Sequence, residues 1–128
     1  MNITHRSVRG VTLLDLTGRL AVSPSDAEVA PLRAAIGRLT AGAGAHIALN
    51  LTGLTYLDAR GLGELVAALN TVRGRGGRLT LVAPSPRVAK MLTVTRLDSV
   101  FERCNSEGEL LAHAYQHPSP DVQAAAYA

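Results

Sequence analysis

Thr55-Tyr56-Leu57-Asp58-Ala59-Arg60-Gly61-Leu62-Gly63 reads as a loop that leaves one strand and tips into a helix. No regular apolar pattern surrounds Asp58, yet from Leu62 onward Leu62, Leu65, Val66, Leu69 and Val72 fall at helical spacing. Asp58 is therefore expected at the N-cap, accepting from the backbone N–H of Arg60 or Gly61 and facing the positive end of the helix dipole. With the stripe turned inward, Arg60, Gly63, Glu64, Ala67, Asn70 and Thr71 should point outward. Gly63 and Ala67, small and four apart, would form a shallow track between charged rims at Arg60 and Glu64.

Upstream, His46-Ile47-Ala48-Leu49-Asn50-Leu51 alternates as an inner strand whose end delivers this loop. Before it, Gly42-Ala43-Gly44 closes a helix carrying Val29, Leu32, Ile36 and Leu39. Ser25 with Glu28 matches a capping box for that helix, but Pro31 would then fall beyond the first turn, so the helix either kinks or starts later. Ser23-Pro24-Ser25 is a loop, and Val8-Arg9-Gly10-Val11 turns a hairpin between a strand bracketed by Ile3 and Val8 and a strand over Val11 to Thr17.

Downstream, Arg73-Gly74-Arg75-Gly76-Gly77 ends the central helix. It follows a helix and precedes a strand, the reverse of a dinucleotide fingerprint, and so does not read as a phosphate cradle. Arg78 to Val82 is the next strand, and Ser85 caps a helix with Pro86 in its first position and Val88, Met91 and Leu92 on its apolar face. Leu97, Val100 and Phe101 form a short extended return, and Asn105 or Ser106 starts a last helix through Leu110, Leu111 and Ala114. Residues 1–116 thus form one domain, and residues 117–128, Pro-rich and then Ala-rich, read as a flexible C-terminal tail. The alternation gives an α/β fold with about four helices: an N-terminal hairpin supplies an edge strand to a mostly parallel inner sheet. If the helices gather on one face, the other is open for self-association as a homodimer.

Composition excludes several functions. The net charge of +3 comes from dispersed residues, twelve of the thirteen bases being Arg, and one Phe, three Tyr and no Trp offer little to stack on bases, so no nucleic acid is expected as partner. Cys104 is alone, which rules out an intrachain disulfide and favours a reducing, cytoplasmic home. No apolar run nears the ~20 residues of a membrane span, and the first residues lack a signal-peptide core. His5 and His46 sit at strand beginnings, while His113 and His117 lack a third ligand, so neither a metal nor another cofactor is expected. Cys104 has no evident His partner, no serine sits in a Gly-x-Ser-x-Gly turn, and Asp58 and Glu64, six apart, diverge on a helix. The chain does not read as an enzyme.

Asp58-Ala59-Arg60-Gly61-Leu62-Gly63 at a strand-to-helix junction, preceded by Leu49-Asn50-Leu51 and Tyr56-Leu57, resembles the signature of STAS domains. The later run from Ser85-Pro86-Arg87-Val88 through Leu97-Asp98-Ser99-Val100-Phe101 is similar to the bacterial anti-sigma factor antagonists of that family, and the likeness spans about residues 2 to 115. The resemblance implies a non-enzymatic cytoplasmic regulator that binds an anti-sigma factor, usually also a serine kinase, and so releases a sigma factor. Taken with the outward face of the helix, it puts the expected partner contact on Asp58, Ala59, Arg60, Gly63, Glu64 and Ala67. In that family a serine commonly follows the Asp, and its phosphorylation, adding about two negative charges, turns binding off. Here the equivalent position is Ala59, followed by Arg60. Ala59 fits an antagonist held binding-competent, a divergent paralogue with another partner, or an engineered change, and Thr55 is a conceivable substitute acceptor. A self-associating scaffold module and a small-ligand or nucleotide sensor using the helix start are the alternative functions, the second opposed by the Asp58 carboxylate.

Overall fold

The computed structural model describes residues 1–21 and 29–116. The elements in chain order are β1 (Asn2–Val8), β2 (Val11–Leu20), α1 (Ala30–Leu39), β3 (His46–Leu57), α2 (Ala59–Gly74), β4 (Arg78–Val82), α3 (Pro86–Val94), β5 (Glu102–Cys104) and α4 (Glu107–Gln116). They make one sheet in the order β1-β2-β3-β4-β5, with β1 antiparallel to β2 and every other pair parallel. This is the expected hairpin edge on a mostly parallel sheet. Arg9 and Gly10 both have positive φ, at 51° and 80°, as a two-residue hairpin turn requires.

Both sheet faces are apolar where they are covered. Leu14, Leu16, Ile47, Leu49, Leu79 and Leu81 point to one face and pack with Leu32 and Ile36 of α1, Leu62, Leu65, Leu69 and Val72 of α2, and Val88 and Leu92 of α3. Each Leu buried there contributes about 2 kcal/mol, so α2 is held by its stripe more than by helix propensity. On the opposite face Val11, Leu13, Ala48 and Val82 pack with Leu110 of α4. The helices therefore do not all gather on one side, and α4 covers part of the face that would otherwise be open. Polar groups complete that face. Arg6 donates to Asp15 at 2.7 and 2.9 Å and to Glu107 of α4 at 2.9 Å, and Asn50 Nδ2 donates to Asp15 at 2.7 Å. The Arg6 guanidinium is the main reason that the Asp15 carboxyl is held below its usual range. Cys104 is buried, and burial pushes its thiol pKa up, away from a nucleophilic thiolate.

Three expectations need correction, while of the two expected forms of α1 the later start is the one found. The strand ending in Leu51 runs on to Leu57, because β2 continues alongside it: Gly18 pairs with Leu54, Arg19 with Tyr56 and Leu20 with Leu57, past irregularities that absorb the register. Thr55-Tyr56-Leu57 is thus strand, not loop. The α1 helix starts at Ala30, with Val29 at its cap and Pro31 in its first turn, where no N–H is missed. Leu97, Val100 and Phe101 are turn residues, and the return strand is Glu102–Cys104. His5 lies in the middle of β1. The Ser25–Glu28 box, His117 and the expected tail over 117–128 lie outside the described residues.

Candidate functional site

The β2–β3 pairing fixes where α2 begins. Asp58 follows β3 in an extended conformation (φ −102°, ψ −179°), and its Oδ1 accepts from the Gly61 N–H at 2.6 Å. Its carbonyl accepts from Leu62 N at 2.9 Å. The cap is therefore as expected, with Gly61 as its donor. A Cβ on Gly61 would fall on the Leu20 carbonyl oxygen and within 2.9 Å of Leu57 Cδ1, so only glycine lets the first turn of α2 press against the ends of β2 and β3. Strand pairing, core and cap together hold this turn in one place.

Ala59, Arg60, Gly63 and Ala67 are exposed and Asp58 is half-buried. Ala59, Gly63 and Ala67, spaced four apart, run along one low ridge, and a Cβ on Gly63 would meet nothing within 4 Å. A cleft lies on each side. Toward α1, Ala67, Ala68 and Thr71 face Leu32, Arg33 and Ile36 across a cleft of about 360 Å³. Toward α3, Ala59 and Leu62 face Arg87, Lys90, Met91 and Val94 across a cleft of about 370 Å³.

Glu64 does not form the free outward rim expected of it. Its side chain is only 13% exposed, and Arg33 of α1 grips both carboxylate oxygens, Nε donating to Oε2 at 2.9 Å and Nη2 to Oε1 at 2.5 Å. One residue past Gly63, it is rotated by about 100° toward α1, which takes it out of the ridge. The structure thus brings Asp58, Ala59, Arg60 and Gly63 together over the start of α2, with Ala67 one turn on along the same ridge and bordering the α1 cleft, and turns Glu64 to α1.

Thr55 is exposed on β3, with its Oγ1 donating to the Gly18 carbonyl at 2.9 Å. Next to it the Arg19 guanidinium stacks 4.4 Å above the centre of the Tyr56 ring. Sequence reasoning missed the α3 wall of the second cleft. The available signal was Val94, an apolar residue two positions past Leu92 and so off the buried stripe of its helix; it is 73% exposed.

Among the described residues no three His, Cys, Asp or Glu side chains gather where they could hold a metal ion, and no helix is long and apolar enough to cross a membrane. His46, buried at the start of β3, shares a 3.0 Å hydrogen bond with Thr80 on the far side of the sheet from α2. What the start of α2 offers is a fixed, small-residue surface with one capping carboxylate and one exposed guanidinium, suited to contact with another macromolecule.

The chain is similar to several known proteins. The Anti-sigma-B factor antagonist of Listeria monocytogenes is 34% identical over 67 residues, 52% of this chain and 59% of that protein, so the match spans less than two thirds of the relative's length. The Anti-sigma F factor antagonist of Paenibacillus polymyxa is 27% identical over 99 residues, 77% of this chain and 82% of that protein. In three dimensions an anti-sigma-factor antagonist (STAS) domain protein from Planctomyces limnophilus superposes with a TM-score of 0.71 over 87% of this chain and 96% of that one, at 20% identity, a likeness of fold. The family profile of the STAS domain matches residues 3–110, most of the chain, and the chain belongs to the STAS domain family.

Proposed function

We propose that this chain is a regulatory protein that binds an anti-sigma factor, or a related serine kinase, through Asp58, Ala59, Arg60 and Gly63, with Ala67 and the Arg33-held Glu64 at the edge of the contact. The observation that carries this reading is the start of α2: an Asp-capped turn locked against β2 and β3, with exposed small residues that let a partner backbone approach closely. Two relatives named as anti-sigma factor antagonists support it. A partner that docks here frees the sigma factor it would otherwise hold.

Ala59 sets the regulation. It is exposed at the first helical position, where a hydroxyl would be open to a kinase, and it has none. The family's phosphate switch is therefore absent at this position, and binding stays on. Affinity capture from the native host with the intact chain tests the function. Recovery of an anti-sigma factor of the serine-kinase type supports it, while recovery of further copies of this chain alone, with concentration-dependent self-association, contradicts it.

A further inference from the structure

We propose that the cleft between the start of α2 and α3 is the docking site for an acidic amphipathic segment of the partner protein. Its floor is apolar: Ala59 and Leu62 from α2, Met91 and Val94 from α3. At about 370 Å³ and open to solvent, it has room for one or two leucine-sized side chains. Val94, 73% exposed, contributes apolar surface that nothing in the described fold covers.

The rim gives the occupant its charge. Arg87 and Lys90 line the same cleft, both exposed, one turn apart on α3, and neither meets a carboxylate among the described residues. Elsewhere the cations that shape the fold are matched, Arg6 with Asp15 and Glu107, Arg33 with Glu64, and Arg78 with Glu102. A helix that places two carboxylates three or four residues apart, with a Leu, Ile, Phe or Met between them facing inward, satisfies rim and floor together. The Asp58 carboxylate at the α2 end does not oppose this, because it is turned into its own helix and bonded to Gly61. Among the described residues no aromatic side chain lines the cleft, which disfavours a nucleic acid strand as the source of the negative charge. Because Ala59 belongs both to the cleft and to the proposed partner surface, this inference rests on that reading and extends the contact from α2 onto α3.

The test selects displayed random peptides of about 16 residues on the intact protein, with no anti-sigma factor present. Enriched peptides should carry at least two acidic residues around an apolar one and bind more weakly as salt rises. The Arg87→Glu/Lys90→Glu double variant and Val94→Asp should each lose affinity by about tenfold or more while keeping the wild-type urea midpoint, since all three side chains are exposed. Enrichment of no peptide, of neutral or basic peptides, or of acidic peptides indifferent to both variants overturns the proposal. So does occupation of the cleft by decanoate with no peptide enriched, which assigns it to a small amphiphile. Acidic peptides in the cleft without anti-sigma factor binding would remove the proposed function and leave the cleft; the converse would remove the cleft alone.

Discussion

Replacing Gly61 with alanine sets helix propensity against a steric contact, and the two disagree in sign. In an open helix the change stabilises by about 1 kcal/mol. Here the new methyl would land on the Leu20 carbonyl oxygen, a backbone atom that cannot rotate aside, and also within 2.9 Å of Leu57 Cδ1. The first turn of α2 would have to retreat by roughly 1 Å, and overpacking of this kind costs about 3 kcal/mol at the upper end of its range. The net expectation is a loss of about 2 kcal/mol, or a fall in Tm of about 8 °C for a domain of this size. Gly63→Ala is the internal control: two residues on in the same helix, with nothing within 4 Å of the added carbon, it should stabilise by about 0.5–1 kcal/mol. Urea unfolding of the two variants side by side reads the difference directly. Equal effects of the two changes, or a stabilised Gly61→Ala variant, would refute the tight seating of α2 on the β2 end.

Asp58→Ala should cost about 1 kcal/mol in urea unfolding through the lost bond to Gly61, whereas Asp58→Asn, which keeps an acceptor, should cost a few tenths. Because the Arg33 side chain is half exposed, Arg33→Ala should lower stability by no more than about 1 kcal/mol, and a larger loss would mean that the ion pair does more than align α1 with α2. The Asp15 carboxyl is held low by Arg6, so its folded value lies below its unfolded value of about 3.9; the stability it contributes is complete above that pH and is lost as pH falls through the folded value. Unfolding measured from pH 6 down to pH 2.5 should therefore fall more steeply for the wild type than for Asp15→Asn, and parallel curves would contradict the pairing. With kinase and ATP the wild type should take up no phosphate at residue 59 while Ala59→Ser does, read by mass spectrometry; phosphate on Thr55 of the wild type would point to a switch by another route.

Most of the fold was legible because its signals are local. The hairpin at Arg9-Gly10, the Asp58 and Ser85 caps, the Ser106 cap of α4 and the glycine-rich end of α2 each depend on a few adjacent residues. The β3 continuation over Thr52–Leu57 was not legible, since Thr52-Gly53-Leu54-Thr55 carries loop composition and becomes strand only where β2 supplies its ladder. Leu97, Val100 and Phe101 look extended by composition, yet Val100 N and Phe101 N both donate back to the Leu97 carbonyl, which closes a turn. At the site, spacing placed Asp58 at the cap of α2 and Arg60, Gly63 and Ala67 on its exposed face, as found. It misjudged Glu64, because the Arg33 that claims it lies thirty-one residues away, and it missed Arg87, Lys90 and Val94, whose relation to Ala59 exists only once α2 and α3 lie side by side.

Calorimetric titration of a host anti-sigma factor with wild type, Asp58→Lys and Ala67→Arg tests the assigned surface most directly. The wild type should form a saturable complex, and both variants should bind with affinities lower by about tenfold or more while still folded by circular dichroism. Wild-type affinity in both variants would contradict that assignment.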